Sequence, residues 1–278
     1  QHVYQPIDFR MNSKGEIEKI NRDYFTGLDE YDYTTETTGD GGEELLTISA
    51  RLKEDKPWSK KVFAVAKQQF VTKPYDYESS QLSSFTQFPE VKETETGVSV
   101  EWTDASLFIN KNGALTQWKV NGENQLVAPL EPYFWKAFND NQRASKLAER
   151  SNSWAKAGET RKLVGMDIDV EKNKRISLVY RFQLSVGADY TLRYDIYGGG
   201  EVRVAADYQP TAEGIELIPK FGMRMRLPAD YQDMEYYGRV PWENYPDRKL
   251  SALIGRYSMP LSDMMTEYVR PQENGNRC

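Results

Sequence analysis

The stretch RISLVYRFQLSVGADYTLRYDIYGGGEVRVAADYQP, residues 175–210, alternates apolar and polar side chains and is interrupted only by Gly187 and by Gly198-Gly199-Gly200. Successive side chains of an extended chain point to opposite faces, so a period of two predicts strands with one buried face. Glycine-marked turns between three such runs make an antiparallel meander. The same signal recurs along the chain. YQPIDFRM, EELLTISARL and KVFAVAKQQFV read as extended runs. In GVSVEWTDASLFINKNGALTQWKVNGENQLV three alternating runs are separated by Asn112-Gly113 and Asn121-Gly122, which are tight-turn signals. LIPKFGMRMRLP adds one more strand. One region alone reads helical, QRASKLAERSNSWAKAG, with Gly158 placed as its C-cap. There is no repeat of fixed period.

The polar, Ser-rich PYDYESSQLSSF is expected to be a linker, with a boundary near Ser79. The expected architecture is all-β: a small sandwich over residues 1–79, linker included, and a larger antiparallel sandwich over residues 80–278. A chain of 278 residues is long enough to bury two cores. Its aromatics, 18 Tyr, 11 Phe and 6 Trp, suit both sheet surfaces and carbohydrate stacking.

Charge narrows the partners. Net charge is −6 and the basic residues are scattered, so neither nucleic acid nor an anionic membrane is an expected partner. No apolar run reaches the length of a membrane span, and QHVYQPIDFRMN lacks the apolar segment of a signal peptide. The single cysteine, Cys278, permits neither an intrachain disulfide nor a thiolate metal site. That composition suits a bacterial cytoplasm or periplasm equally.

No catalytic centre stands out. The one histidine, His2, lies at the N-terminus, which removes Ser-His-Asp, Cys-His and His-rich metal constellations. Gly198 to Gly200 joins two strands and opens no helix, so it is not a phosphate cradle. A pair of carboxylates would suffice for glycoside hydrolysis, but with 42 acidic residues proximity alone selects none. No catalytic residue and no metal ligand is assigned to this chain.

One block is far more specific. YYGRVPWENYPDRKLSALIGRYSMPLSDMMTEYVRPQENGNRC resembles a segment of the β-galactosidases of glycoside hydrolase family two. Their pattern reads Gly-x-Gly-Pro-x-Glu-Asn-Tyr-Pro-Asp-Arg, then a Pro-Leu-Ser-Asp-type stretch, then Pro-x-Glu-Asn-Gly. PYFWKAFNDNQ is similar to the family's Phe-x-Arg-Ala-Pro-x-Asp-Asn-Asp block, and LLTISARLKEDKPWSKKVFAVAKQQF to the end of a sandwich that precedes the last domain. The departures are Lys136 for the family's Arg, Phe138 for its Pro, Gln142 for its third acidic position and Val240 for the second Gly of the loop. Between Tyr33 and Gly41 this chain is also shorter than the family pattern.

The resemblance implies the fourth, Ig-like domain and the first part of the fifth domain, a β-supersandwich similar to galactose mutarotases, truncated at its C-terminus. It implies that the catalytic β/α barrel, with the acid/base, the nucleophile and the Mg and Na ions, belongs to another part of the polypeptide. This chain has no Asn-Glu dipeptide such as carries the family's acid/base. The expected partners are therefore a β-galactoside or other glycan, the rest of the β-galactosidase chain, and further copies in a homo-oligomer.

Eight residues are candidates for the substrate rim: Lys136, Asp140, Asn141, Gln142, Trp242, Glu243, Asn244 and Arg248. For GRVPWENYPDR the competing reading is a stiff corner. Pro241 and Pro246 fix the backbone, Asn244 and Asp247 bond back to the main chain, and Arg248 clamps Glu243 or Asp247. For FNDNQRASKLAERSNSW the resemblance implies a loop at the active-site mouth, and the competing reading is a short amphipathic helix burying Leu147 and Trp154. Trp102, Trp118 and Trp135 pack on sheets or stack on sugar; Trp58 is expected as a plug of the small sandwich. A stand-alone carbohydrate-binding β-sandwich module is the alternative function.

Overall fold

The computed structural model describes residues 4–75, 88–172, 174–198, 200–239 and 241–277. His2, Ser79, Gly199, Val240, Cys278 and most of the expected linker lie outside them. The chain forms two compact units: Gln1–Ser80 with Asp233–Glu267 and Asn274–Cys278, and Gln81–Gln232 with Tyr268–Glu273. Residues 233–267 and 274–278, expected in the second part, group by proximity with the first unit.

In the first unit, strands β1 (Ile7–Met11) and β2 (Ile17–Asn21) form a hairpin, and β3 (Tyr31–Thr38), β4 (Glu44–Leu52) and β5 (Ala64–Lys73) form an antiparallel sheet in that order. Alternation places Ile7 and Phe9 of β1 in one apolar cluster with Tyr31, Ile48, Ala50, Leu52, Val65 and Ala66. Each buried Ile, Leu, Val or Phe among them contributes roughly 1.5–3 kcal/mol. Strand β3, YDYTTETT, buries only Tyr31, and its TTETT stretch is polar on both faces, so it shows no alternation. Trp58 is exposed, contrary to expectation. Lys56 and Ser59 exchange backbone hydrogen bonds, so Pro57 and Trp58 form the tip of a tight turn.

To the same unit belong β17 (Asp233–Arg239) and β18 (Ile254–Pro260), an antiparallel pair. The Gln69 side chain binds Ile254 as a strand would: Oε1 accepts from the Ile254 N–H at 2.8 Å, and Nε2 donates to the Ile254 carbonyl at 2.9 Å.

The second unit is a sandwich of two sheets. One has the order β16-β11-β9-β8-β7-β6, with β10 paired to β9. Its strands are β6 (Glu90–Glu93), β7 (Gly97–Glu101), β8 (Ala105–Asn110), β9 (Leu115–Val120), β10 (Glu123–Asn124), β11 (Ala128–Pro132) and β16 (Met223–Arg226). The other is the meander β12 (Lys162–Glu171), β13 (Arg175–Leu184), β14 (Ala188–Ile196) and β15 (Val202–Pro210). Register puts the inward residues opposite one another: Ile176 with Ile196, Leu178 with Tyr194, Tyr180 with Leu192, and Phe182 with Tyr190. These pack with Val98, Val100, Leu107 and Ile109 of the first sheet into one core. Asn121 and Gly122, at φ 51° and 84°, make the tight turn expected of an Asn-Gly pair. The all-β, antiparallel sandwich reading is the fold observed.

The expected helix is broken. α1 (Asp140–Ala144) and α2 (Leu147–Arg150) are followed by a 3₁₀ turn over Asn152–Lys156, and Lys146 between the helices is left-handed at φ 54°. Trp154 is buried and donates Nε1–H to the Glu216 carbonyl at 3.0 Å, while Leu147 is only half-buried. Gly158 is no left-handed cap; a Cβ there would stand 2.5 Å from the Pro132 carbonyl oxygen. Trp135 packs on the core, edge-on to Phe138 at 4.9 Å, Trp102 packs on it as well, and Trp118 lies on the surface.

Candidate functional site

The candidates fall into two sets, one in each unit. In the second unit, β11 leads through residues 133–139 into the first turn of α1. Lys136 lies on that connection, and its ammonium pairs with Glu273; the two side chains are 10% and 12% exposed. Lys220 approaches the other Glu273 oxygen at 3.5 Å. A lysine here provides a compact charge where an arginine would present a planar fork, and one carboxylate with two ammonium neighbours suits that geometry.

Gln142 is occupied by helix capping. Asn139 Oδ1 accepts the Gln142 N–H at 2.9 Å, and Gln142 Oε1 accepts the Asn139 N–H at 3.1 Å. This reciprocal pair satisfies two of the helix's otherwise unpaired amides. Asp140, exposed at the start of α1, receives Arg143 Nη1 at 3.4 Å and lies 4.0 Å from Arg270 Nη1. Asn141 is exposed. Arg143 also donates to the Pro271 carbonyl, so the PQENG stretch is joined to this helix start twice, through Arg143 and through Glu273.

In the first unit, Trp242, Glu243, Asn244 and Arg248 lie on the loop between β17 and β18. The Glu243 side chain is 3% exposed; Oε1 takes a hydrogen bond from Arg248 Nη2 at 3.2 Å and Oε2 one from the Gly275 N–H at 3.3 Å. Asn244 is buried and donates Nδ2–H to the carbonyls of Arg239 at 2.6 Å and Trp242 at 2.9 Å, while its own N–H bonds to Asn276 O at 2.9 Å. Arg248 also lies over the Tyr245 ring at 4.8 Å, and Asn276 donates to the Tyr245 hydroxyl at 2.7 Å. Trp242 alone of the four presents its side chain to solvent as a large apolar surface.

Chemically, this loop is a braced corner. Its buried carboxylate already accepts from two donors, and its asparagine is spent on carbonyls of its own turn. The sequence reading named the Arg248–Glu243 clamp but not Glu273, Gly275 or Asn276, although all three lie in or beside the recognised PQENG block. What that block signalled was a motif; the ion pair and backbone contacts it makes depend on tertiary placement. Among the described residues no group of three or more His, Cys, Asp or Glu side chains is arranged to hold a metal ion. Among them too, no helix is long and apolar enough to cross a membrane.

Comparison with known proteins adds the family. A family model described as beta galactosidase small chain matches residues 101–278. The chain is 29% identical over 252 residues to a beta-galactosidase of Halalkalibacterium halodurans, covering 89% of this chain and 25% of the relative. It is 27% identical over 320 residues to a beta-galactosidase of Priestia megaterium, covering 99% of this chain and 30% of the relative. To that of Yersinia enterocolitica it is 32% identical over 185 residues, 62% of this chain and 17% of the relative. The chain thus spans about a quarter of the length of the curated relatives it matches. The Priestia alignment is longer than the 278-residue chain, so that relative carries stretches with no counterpart here.

Proposed function

Because this chain belongs to the beta galactosidase small chain family, we propose that it is a non-catalytic portion of a β-galactosidase, comprising an Ig-like domain and the start of a supersandwich domain. In the intact enzyme, hydrolysis of terminal β-D-galactosides would proceed with retention on a barrel carried by another part of the polypeptide, where two carboxylates flank the bond. The Mg and Na ions of the resemblance belong with that barrel. This portion buttresses it, shapes the rim of its pocket and contributes to a homo-oligomer.

The observation that carries this reading is the state of Glu243. The acid of the most specific motif is held by Arg248 and the Gly275 amide inside the corner, so it serves the frame rather than proton transfer. The test is direct. The purified 278-residue chain, incubated with a chromogenic β-galactoside, is expected to release no dye; turnover that survives repurification overturns the proposal.

A second reading, a carbohydrate-binding module, is favoured by one feature, the exposed Trp242 ring. Calorimetric binding of galactose or lactose tighter than about 1 mM would support it.

A further inference from the structure

On the first unit, the segment that enters β5 and the β17–β18 loop enclose a groove of about 750 Å³, walled by Phe63, Ala66, Trp242, Leu250, Leu253 and Tyr257. Four of its large apolar side chains are open to water, Phe63, Leu250, Trp242 and Val62, from 43% exposed at Phe63 to 73% at Val62, while Ala66 is buried. Trp58, also exposed, sits edge-on to Phe63 at 6.2 Å. Large apolar patches rarely stay uncovered, and this one concentrates several of the unit's biggest exposed side chains.

The charge of the groove is one-sided. Arg51, Lys60 and Lys67 line it with no carboxylate among the described lining residues, in a chain of net charge −6. Asp55, which pairs with Lys60 at 2.8 Å, is not part of the lining. An occupant that matches is apolar and carries acidic groups. A free sugar fits less well, since among the described lining residues its hydroxyls would meet three cations and no carboxylate, with only Gln5, Ser59, Ser251 and Tyr257 as side-chain acceptors.

We infer that this groove seats the part of the β-galactosidase polypeptide that lies outside the chain, through an apolar segment flanked by Asp or Glu. The inference rests on the proposed function and adds to it the surface of contact. The relatives supply the occupant: this chain covers 25% of the Halalkalibacterium protein, so most of a relative's length is available to cover the groove. The groove is also built from the two sequence blocks that resemble the family, KPWSKKVFAVAKQQF and GRVPWENYPDRKLSALIG.

The experiment titrates the intact 278-residue chain by calorimetry with the Halalkalibacterium protein expressed without its matching quarter. Val62→Asp and Lys60→Glu alter exposed positions of the groove, and Val127→Asp, exposed in the second unit, is the control. Circular dichroism and unfolding midpoints confirm that each variant keeps its fold. The unaltered chain and Val127→Asp are expected to bind equally, and each groove variant to bind about tenfold more weakly or worse. Equal binding by the groove variants, or none by the unaltered chain, overturns the inference. Self-association abolished by Val62→Asp reassigns the groove to a second copy, and lactose binding abolished by it reassigns the groove to a glycan; both overturn it as well. Equal binding by the groove variants overturns this inference and leaves the non-catalytic reading standing, whereas hydrolysis of a galactoside by the isolated chain overturns that reading itself.

Discussion

Arg248 Nη2 stands 3.2 Å from Glu243 Oε1, with the carboxylate side chain 3% exposed and the arginine 47% exposed. The acid is therefore the buried member and the base its outlet to solvent. Arg248→Ala removes a charged donor from the acid and is expected to lower stability by about 1.5–3 kcal/mol, the range for hydrogen bonds to charged groups. Glu243→Gln keeps an acceptor for the Gly275 amide and loses only about 1 kcal/mol. Urea unfolding followed by tryptophan fluorescence measures both, and an unchanged midpoint for Arg248→Ala removes the clamp from the account.

Lys136 and Glu273 make a different kind of pair, since both side chains are nearly sealed from water. Removing one partner of a buried pair strands the other charge, at about 3–5 kcal/mol, whereas replacing both by apolar groups is often close to neutral. Lys220, at 3.5 Å, keeps Glu273 partly compensated, so Lys136→Met is expected near the lower end of that range. The double variant Lys136→Met with Glu273→Leu should then be more stable than Lys136→Met alone. A double variant no better than the single would show that packing, not charge, dominates this site.

Local signals of unequal strength decide which elements are legible in the amino-acid sequence. Within residues 175–210 the alternation is backed by burial at Ile176, Leu178, Tyr180, Phe182 and Leu184 of β13, whereas β15 buries none of its residues fully and rests Val202, Ala206 and Tyr208 against the core. Strand β3 escapes the sequence because TTETT after Tyr33 is polar on both faces and shows no alternation, and its place is set by pairing with β4. The helix was overextended because its apolar spacing continues through Lys146, where the backbone turns left-handed. Trp58 was misplaced because indole size suggests burial while the turn geometry that exposes it is local and weakly coded. In the loop motif the residue types announced a clamp, but Gly275 as second donor to Glu243 lies 32 residues away and no local rule reaches it.

Alkaline stability follows from the core tyrosines. Burial pushes the Tyr190 hydroxyl up to about 12, and it pushes Tyr180 and Tyr194 up as well. A raised value means that the native state holds the proton more tightly than the unfolded chain. The contribution is complete below about pH 10, the ordinary tyrosine value, and is lost as pH climbs toward 12. Among the described residues the Tyr190 hydroxyl has no hydrogen-bond partner. Tyr190→Phe is therefore expected to leave neutral-pH stability unchanged or raise it by about 1 kcal/mol, and to shift alkaline unfolding to higher pH. Absorbance at the phenolate band against pH measures the transition; an unshifted one in the variant excludes Tyr190 as a contributor.

Gln69 joins β5 to the start of β18. Its side-chain amide takes the place of a neighbouring strand, accepting from the Ile254 N–H at 2.8 Å and donating to the Ile254 carbonyl at 2.9 Å. It thereby closes the first backbone position of β18 against β5, with Thr47 Oγ1 3.1 Å from the same nitrogen. Gln69→Leu preserves most of the volume but leaves both Ile254 groups without this partner. Each buried group left unpaired costs about 1–3 kcal/mol, so the loss should exceed that of an ordinary surface change. The sharper readout is hydrogen exchange. The Ile254 amide should exchange faster in the variant, while amides of β13 and β14, in the other unit, keep their protection. Equal acceleration in both units would mean that the substitution loosens the whole chain, and equal protection at Ile254 would mean that β18 is held without Gln69.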